Sequence, residues 1–305
     1  MNKRILFISH DASRTGAPIV LLHFLKWLSN STSIKFDVLL PEGGPLLMDF
    51  EYVAEEVYVW SKHVSNTSLL KNTILSKSLK HFKNRKQQAH LVSKLSNGEY
   101  DLVYSNTAKS AQMLLTVNQI SSETPIIQHI HELDYTINSY CDPVALKRAI
   151  EVSNTVIGVS KLVLDNLREN YNIAQSKLEL VYEFVPEVKI PSGSTDKVKA
   201  SLALEKQFVI MASGTTIIRK GFDLLAVIAK ELKQTRKRNF KLVWIGVNKN
   251  KDLFHLVKSE VDRFDLSDVV SFVESVPNPI VYFNACDLFL MLSREDPFPL
   301  VCIEV

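Results

Sequence analysis

The stretch Ser293-Arg-Glu-Asp-Pro-Phe-Pro-Leu-Val-Cys-Ile-Glu-Val305 stands directly after Asp287-Leu-Phe-Leu-Met-Leu292. The apolar run has the length of a strand, the polar turn with two prolines reads as a loop, and the apolar stretch carrying Glu304 reads as a helix start. In open α/β sheets such loops lie at the carboxyl ends of strands, where ligands bind. Asp296 and Glu304 are eight positions apart, about 12 Å along a helix. That is too far to share a proton, but it suits two parts of one extended, hydroxyl-rich ligand. The competing reading of Asp296 is a helix N-cap with Pro297 at the first helical position. Glu304 alone would be a solvated helix residue.

The same strand–loop–helix rhythm runs back through the whole sequence. Strands are expected at Arg4 to Ser9, Phe36 to Leu40, Val57 to Trp60, Asp101 to Tyr104, Pro125 to Gln128, Thr155 to Val159 and Leu178 to Tyr182. Three more follow at Phe208 to Ala212, Lys241 to Gly246 and Val269 to Val273, before the run at 287–292. Ile19, Leu22, Leu25 and Leu28 fall at helical spacing after the first strand. Ser105-Asn106-Thr107 and Ser160 are expected to cap helices. The alternation predicts an α/β fold with doubly wound sheets. The 305 residues suffice for two domains, expected at 1–185 and 201–305. Residues 186–200, with Pro186, Pro191 and a Ser-Gly-Ser-Thr run, read as the linker. Four strands in the second half are fewer than a complete half usually has, so the second domain is expected to be incomplete, truncated at its C-terminal end.

Composition narrows the class. A net charge of +3 is too small to argue for nucleic acid. Cys141, Cys286 and Cys302 have neither metal nor disulfide spacing and suit a reducing, cytoplasmic compartment. The N-terminal apolar run is too short for a signal peptide, and no stretch of about 18 apolar residues occurs. From Ser61 to Gly98 there is no acid. Lys62, Lys71, Lys77, Lys80, Lys83, Arg85, Lys86 and Lys94 interleave there with Leu69, Leu70, Ile74, Leu79 and Phe82. This pattern suits either a solvated helix face or a basic amphipathic surface for anionic lipid.

Three further places carry candidate chemistry. Gly16, in Thr15-Gly16-Ala17-Pro18, would let the backbone approach a ligand at a helix N-terminus, or simply make a turn. His129-Ile-His131-Glu132 ends a strand; a metal there lacks a third ligand with convincing spacing. Acceptor binding, proton handling or a satisfied structural histidine remain open. Arg219-Lys220-Gly221 precedes a helix, where two cations oppose the macrodipole unless an anion sits nearby. A phosphate or diphosphate answers that, and plain surface charge is the alternative.

Ser-Arg-Glu-Asp-Pro-Phe-Pro-Leu-Val-Cys-Ile-Glu resembles the Glu-x7-Glu motif of the family-4 retaining glycosyltransferases. It is closest to a subgroup written Glu-Asp-Pro-Phe-Pro-Leu-Val. Gly214…Arg219-Lys220-Gly221 is similar to that family's Gly…Arg-Lys-Gly segment, and Val156-Ile-Gly-Val-Ser160 to its Ile-Ala-Val-Ser segment. The resemblance implies a GT-B fold, with two Rossmann-like domains facing across a cleft. It implies that Glu304 binds ribose hydroxyls, that Asp296 stands for the first Glu and contacts the donor sugar, and that Arg219 and Lys220 hold the diphosphate. His131 matches the family's histidine beside the transferred sugar. Gly16 matches the Gly-Gly-Ala loop. Pro297 and Pro299 replace two family glycines and carry no N–H, which leaves Phe298 and Leu300 to offer amides.

The expected function is therefore retaining transfer of a sugar from a nucleotide-diphosphate sugar to a hydroxyl acceptor, in polysaccharide or glycolipid synthesis. No cofactor, metal or nucleic acid is expected. The expected partners are the nucleotide sugar, a glycan or lipid-linked acceptor, and an anionic membrane surface met by residues 62–94. The expected location is cytoplasmic, with peripheral attachment to the inner membrane face held open. The alternatives are a non-catalytic nucleotide-sugar-binding or scaffold protein of the same fold, and a related epimerase or phosphorylase.

Overall fold

The computed structural model describes residues 3–60, 86–235 and 239–305. It divides into two compact units, Met1–Phe184 and Val185–Val305.

The first unit carries β1 (Arg4–Ser9), β2 (Lys35–Leu40), β3 (Glu56–Val59), β4 (Leu102–Asn106), β5 (Ile126–Ile130), β6 (Thr155–Gly158) and β7 (Leu178–Leu180). All pair in parallel, in the order β3-β2-β1-β4-β5-β6-β7. The backbone first winds outward from β1 to β3, then returns to β4 on the other side of β1. The β1/β4 junction is thus the switch point at which open α/β sheets bind ligands. Register sets Ser9 beside Asn106 and Asn106 beside His129, so three strand ends meet there.

The helices are α1 (Gly16–Ser31), α2 (Leu47–Val53), α3 (residues 86–96), α4 (Ala111–Ile120), α5 (Asp134–Tyr140), α6 (Pro143–Val152) and α7 (Lys161–Tyr171). On α1, the helical stripe buries Leu22, Leu25 and Leu28 against Phe7, Phe36, Val38 and Phe50. Asp142 caps α6 by accepting from the N–H of Val144 and Ala145, with Pro143 at the first position. Ser160 caps α7 through Val163 N–H, as expected. The Ser105-Asn106-Thr107 cap does not form. Ser105 and Asn106 stay in β4, and the turn beginning at Ala108 has no side-chain cap.

One buried polar knot was not visible in the sequence. Asp37 is fully buried on β2. It accepts from Arg4 Nε (3.1 Å) and Nη2 (2.8 Å), from Tyr100 OH (2.6 Å) and from Lys94 Nζ (3.3 Å). Lys94 also donates to Glu56 at 2.8 Å. Lys94 is therefore not part of a membrane-facing surface: its side chain is 7% exposed and serves as a counter-ion inside the unit. Lys86 is exposed. The other cations of the expected surface, Lys62 through Arg85, lie outside the described residues.

The second unit carries β8 (Phe208–Ser213), β9 (Phe240–Val247), β10 (Val270–Glu274) and β11 (Leu288–Phe289) in the parallel order β10-β9-β8-β11. Its helices are α8 (Ser194–Ser201), α9 (Leu225–Thr235), α10 (Asp252–Arg263), α11 (Ile280–Phe283) and α12 (Val301–Glu304). Ile210, Ala212, Leu242 and Trp244 face one core; Val209, Met211, Val243 and Ile245 face the other. This two-sided burial is the reason the strands read as continuous apolar runs. Trp244 is fully buried and meets Phe222 edge-on, with ring centroids 5.1 Å apart.

Two sequence expectations change here. Residues 194–201, most of them placed in a linker by their polar composition, form α8, whose Val198 is buried with Leu204 and Val209. The run 287–292 pairs only over Leu288–Phe289, although Leu290 N–H still donates to Met211 O at 2.7 Å.

Candidate functional site

In the first unit the polar groups collect where β1, β4 and β5 end. His131 follows β5 and is engaged on both ring nitrogens. Nε2 lies 2.8 Å from Asn106 Oδ1, and Nδ1 lies 2.5 Å from Glu183 Oε1. Asn106 Nδ2 donates to Ala17 O at 3.1 Å, which turns its oxygen toward His131. Burial, then neighbouring His10, push the His131 pKa down. The His129 ring is tilted by 41° against that of His131, with centroids 4.2 Å apart. Its Nδ1 meets Tyr104 OH at 2.6 Å, and its Nε2 is buried with no hydrogen-bond partner. Burial, with His131 beside it, also holds His129 neutral.

Glu132 is buried and accepts from Ala108 N–H and His131 N–H, both at 3.0 Å. Burial pushes its carboxyl up to about 7. Thr107 has φ 78° and ψ 154°, a region that is essentially reserved for glycine. Its neighbours over-determine that conformation. Thr107 N–H donates to His129 O at 2.8 Å and Gln128 Nε2 donates to Thr107 O at 2.8 Å, while Oγ1 lies 3.3 Å from His10 Nδ1. Gly16 is the exposed first residue of α1, with a φ that makes no special demand for glycine.

In the second unit two loops are stitched together after β8 and β11. Arg219 and Lys220 belong to a short 3-10 turn, Ile218–Lys220, and not to α9, which begins at Leu225. The two cations therefore do not oppose the α9 macrodipole, as the sequence suggested, and call for no anion on that ground. Both cations instead meet the opposite loop. Arg219 Nη1 donates to Glu295 O at 2.7 Å, and Lys220 Nζ forms an ion pair with Asp296. Arg294 holds the pair of loops in register. Its N–H donates to Arg219 O (2.8 Å), its Nη1 to Ile218 O (2.6 Å), and its guanidinium grips both oxygens of Asp223 (2.8 and 2.7 Å). Gly221 sits at φ 75° where a Cβ would lie 2.2 Å from Leu292 O, so only glycine fits the crossing.

Asp296 is not the helix cap that Asp-Pro suggested. Residues 296–300 are irregular, and α12 begins at Val301 after Leu300. The eight-residue spacing to Glu304 is therefore not helical rise. Leu300 O accepts from Ile303 N–H (2.9 Å) and Glu304 N–H (3.1 Å), closing the turn that carries Glu304. Burial pushes the Glu304 carboxyl up. Phe298 lies half-buried in the loop between Pro297 and Pro299.

The structure thus joins Arg219, Lys220 and Asp296 at one loop crossing, with α12 and Glu304 following in sequence. His131 belongs to the first unit's cluster. Sequence reasoning missed Asn106, Thr107 and Glu183, and the Arg294–Asp223 clasp. None has a local signal, since each partner is remote in sequence. Among the described residues, no group of three or more His, Cys, Asp or Glu is placed to hold a metal ion, and no helix is long and apolar enough to cross a membrane.

The loop crossing falls within a segment that matches a family model. Residues 194–305 match the model of the glycosyl transferases group 1. That covers nearly all of the second unit. Among curated proteins none matches. Solved structures extend the fold to the full length. Alr3699/HepE of Anabaena, in complex with UDP and glucose, is 19% identical with a TM-score of 0.76, covering 99% of this protein and 78% of that one. A glycosyltransferase of Rickettsia africae is 18% identical with a TM-score of 0.69, covering 99% and 76%. WaaG, a glycosyltransferase involved in lipopolysaccharide biosynthesis, is 12% identical with a TM-score of 0.64, covering 98% and 78%. These neighbours have the GT-B fold, and at such identities they speak for the fold alone.

Proposed function

We propose that this protein is a retaining glycosyltransferase of family 4, moving a sugar from a nucleotide-diphosphate sugar to a hydroxyl acceptor. The observation that carries the reading is the stitched loop pair, in which Arg219 and Lys220 stand beside Asp296 within a group 1 domain. A diphosphate brings two anionic groups to such cations. Arg219 and Lys220 would hold it and stabilise the charge that builds on the leaving group. Glu304 would fix the ribose, Asp296 the sugar hydroxyls, and the amides of Phe298 and Leu300 would line the donor's path. His131 would stand beside the transferred sugar. The structures of HepE with UDP and with UDP-glucose support a nucleotide-sugar donor. A role in cell-surface polysaccharide or glycolipid synthesis is supported by the lipopolysaccharide relatives. The lysines and arginine from 62 to 86 are proposed to dock on anionic lipid.

A non-catalytic nucleotide-sugar-binding protein is the second reading. It is favoured by the Lys220–Asp296 ion pair and by the internal engagement of both His131 nitrogens. Incubation with UDP-, GDP-, ADP- and dTDP-sugars, followed by detection of released nucleoside diphosphate, separates the two. Release that is lost in Arg219→Ala supports the transferase. Saturable binding with no release under any donor and acceptor tried supports the binding protein.

A further inference from the structure

We propose that Glu183 is a positioning residue for His131. As a neutral carboxylic acid it donates its proton to Nδ1, and so holds the imidazole neutral with Nε2–H aimed at Asn106. Asn106 Nδ2 donates to Ala17 O, so its Oδ1 faces His131 and Nε2 must carry a hydrogen. At 2.5 Å, one proton lies between Nδ1 and Glu183 Oε1. The pair therefore holds two protons, and the question is which atom owns the second. Both side chains are only 6% exposed, and separated charges are disfavoured at such a depth. Among the other titratable groups, His10 acts on the ring and the His129 ring lies against it, while Glu183 also acts on Tyr104 and Glu132, and Lys109 acts on Glu132. His10 disfavours an imidazolium there. The neutral assignment follows, with the proton on the acid and the ring as acceptor at Nδ1.

This arrangement has a consequence for turnover that rests on the glycosyl-transfer reading; the protonation state does not. A fixed Nε2–H makes His131 a donor with one partner, Asn106, that a sugar hydroxyl can replace. The experiment uses the 305-residue protein and two readouts. Nitrogen-15 spectra of the histidine side chains should show His131 as a single neutral tautomer, Nε2-protonated, across pH 5–9. An imidazolium at His131 at pH 7, or the Nδ1-protonated tautomer, overturns the proposal. For turnover of a nucleotide sugar, Glu183→Ala should lower kcat about 100-fold by freeing the ring, with donor KM within about twofold. Glu183→Gln keeps an N–H donor toward Nδ1 and should restore most of the rate. If Gln is as poor as Ala, an ionised Glu183 is required and the proposal fails. If wild type releases no nucleotide but the tautomer is found, the transfer reading fails and the Glu183 assignment stands.

Discussion

Several side chains here differ from their isolated chemistry because of one or two contacts. Burial carries the Glu132 carboxyl from an ordinary value near 4.5 up to about 7. An acid with a raised folded-state pKa contributes its full stability below the unfolded value and loses it as pH rises through the folded one. Stability should therefore fall by about 3 kcal/mol between roughly pH 4.5 and 7. Glu132→Gln retains an oxygen acceptor for Ala108 and His131 N–H and should flatten that slope, read by urea unfolding at several pH values. Removing Asp37 would strand Arg4 and Lys94 without their shared carboxylate. Asp37→Ala is expected to destabilise by about 3–5 kcal/mol, with unfolding curves as the check. At Thr107 the change runs the other way. Thr107→Gly relieves a backbone conformation that costs about 1–3 kcal/mol, offset by glycine's greater unfolded-state freedom and the loss of the His10 contact. A net gain near 1 kcal/mol is expected. A net loss would mean that the hydroxyl contact outweighs the strain.

Among elements, the loops after β8 and β11 act as one piece. Arg294 reaches back to Ile218, Arg219 and Asp223, while Gly221 lets the two backbones cross. Gly221→Ala is expected to destabilise the second unit by more than about 2 kcal/mol, because a Cβ would overlap Leu292 O and φ would be strained. Asp223→Asn should have a milder effect on stability. Its informative readout is a weaker affinity for nucleoside diphosphate by calorimetry, since the loop bearing Arg219 and Lys220 loses half of its clasp. Much of this level was legible beforehand. Alternating strand and helix patterns placed ten of the strands within one or two residues, because two-sided burial writes long apolar runs into the sequence. Three elements were misjudged. The short β11 ends early where the backbone turns toward Gly221. The polar α8 is held by one buried face around Val198. The turn at Asn106-Thr107 has hydrogen bonds to residues of β5 that override its local capping pattern.

For the molecule as a whole, donor binding should raise the melting temperature, since a ligand bound only by the folded state stabilises it by mass action. The shift should appear with one nucleotide base. It should shrink in Arg219→Ala, with roughly 10- to 100-fold weaker affinity for the loss of a charged hydrogen bond, and in Glu304→Ala. Flotation with liposomes tests the proposed lipid surface: binding only to anionic vesicles is expected, and equal binding to neutral ones would refute it. The sequence by itself determined the class of fold, the strands of the described residues and the Arg219, Lys220, Asp296 and Glu304 candidates. These depend on periodicity and on residues close in the sequence, which local physics records. Only the tertiary structure decided that Lys220 meets Asp296, that Lys94 is a buried counter-ion, and that Glu183 closes on His131. Those contacts join residues 76, 57 and 52 positions apart. No local propensity encodes such pairs; they follow from the order in which parallel strands are laid side by side.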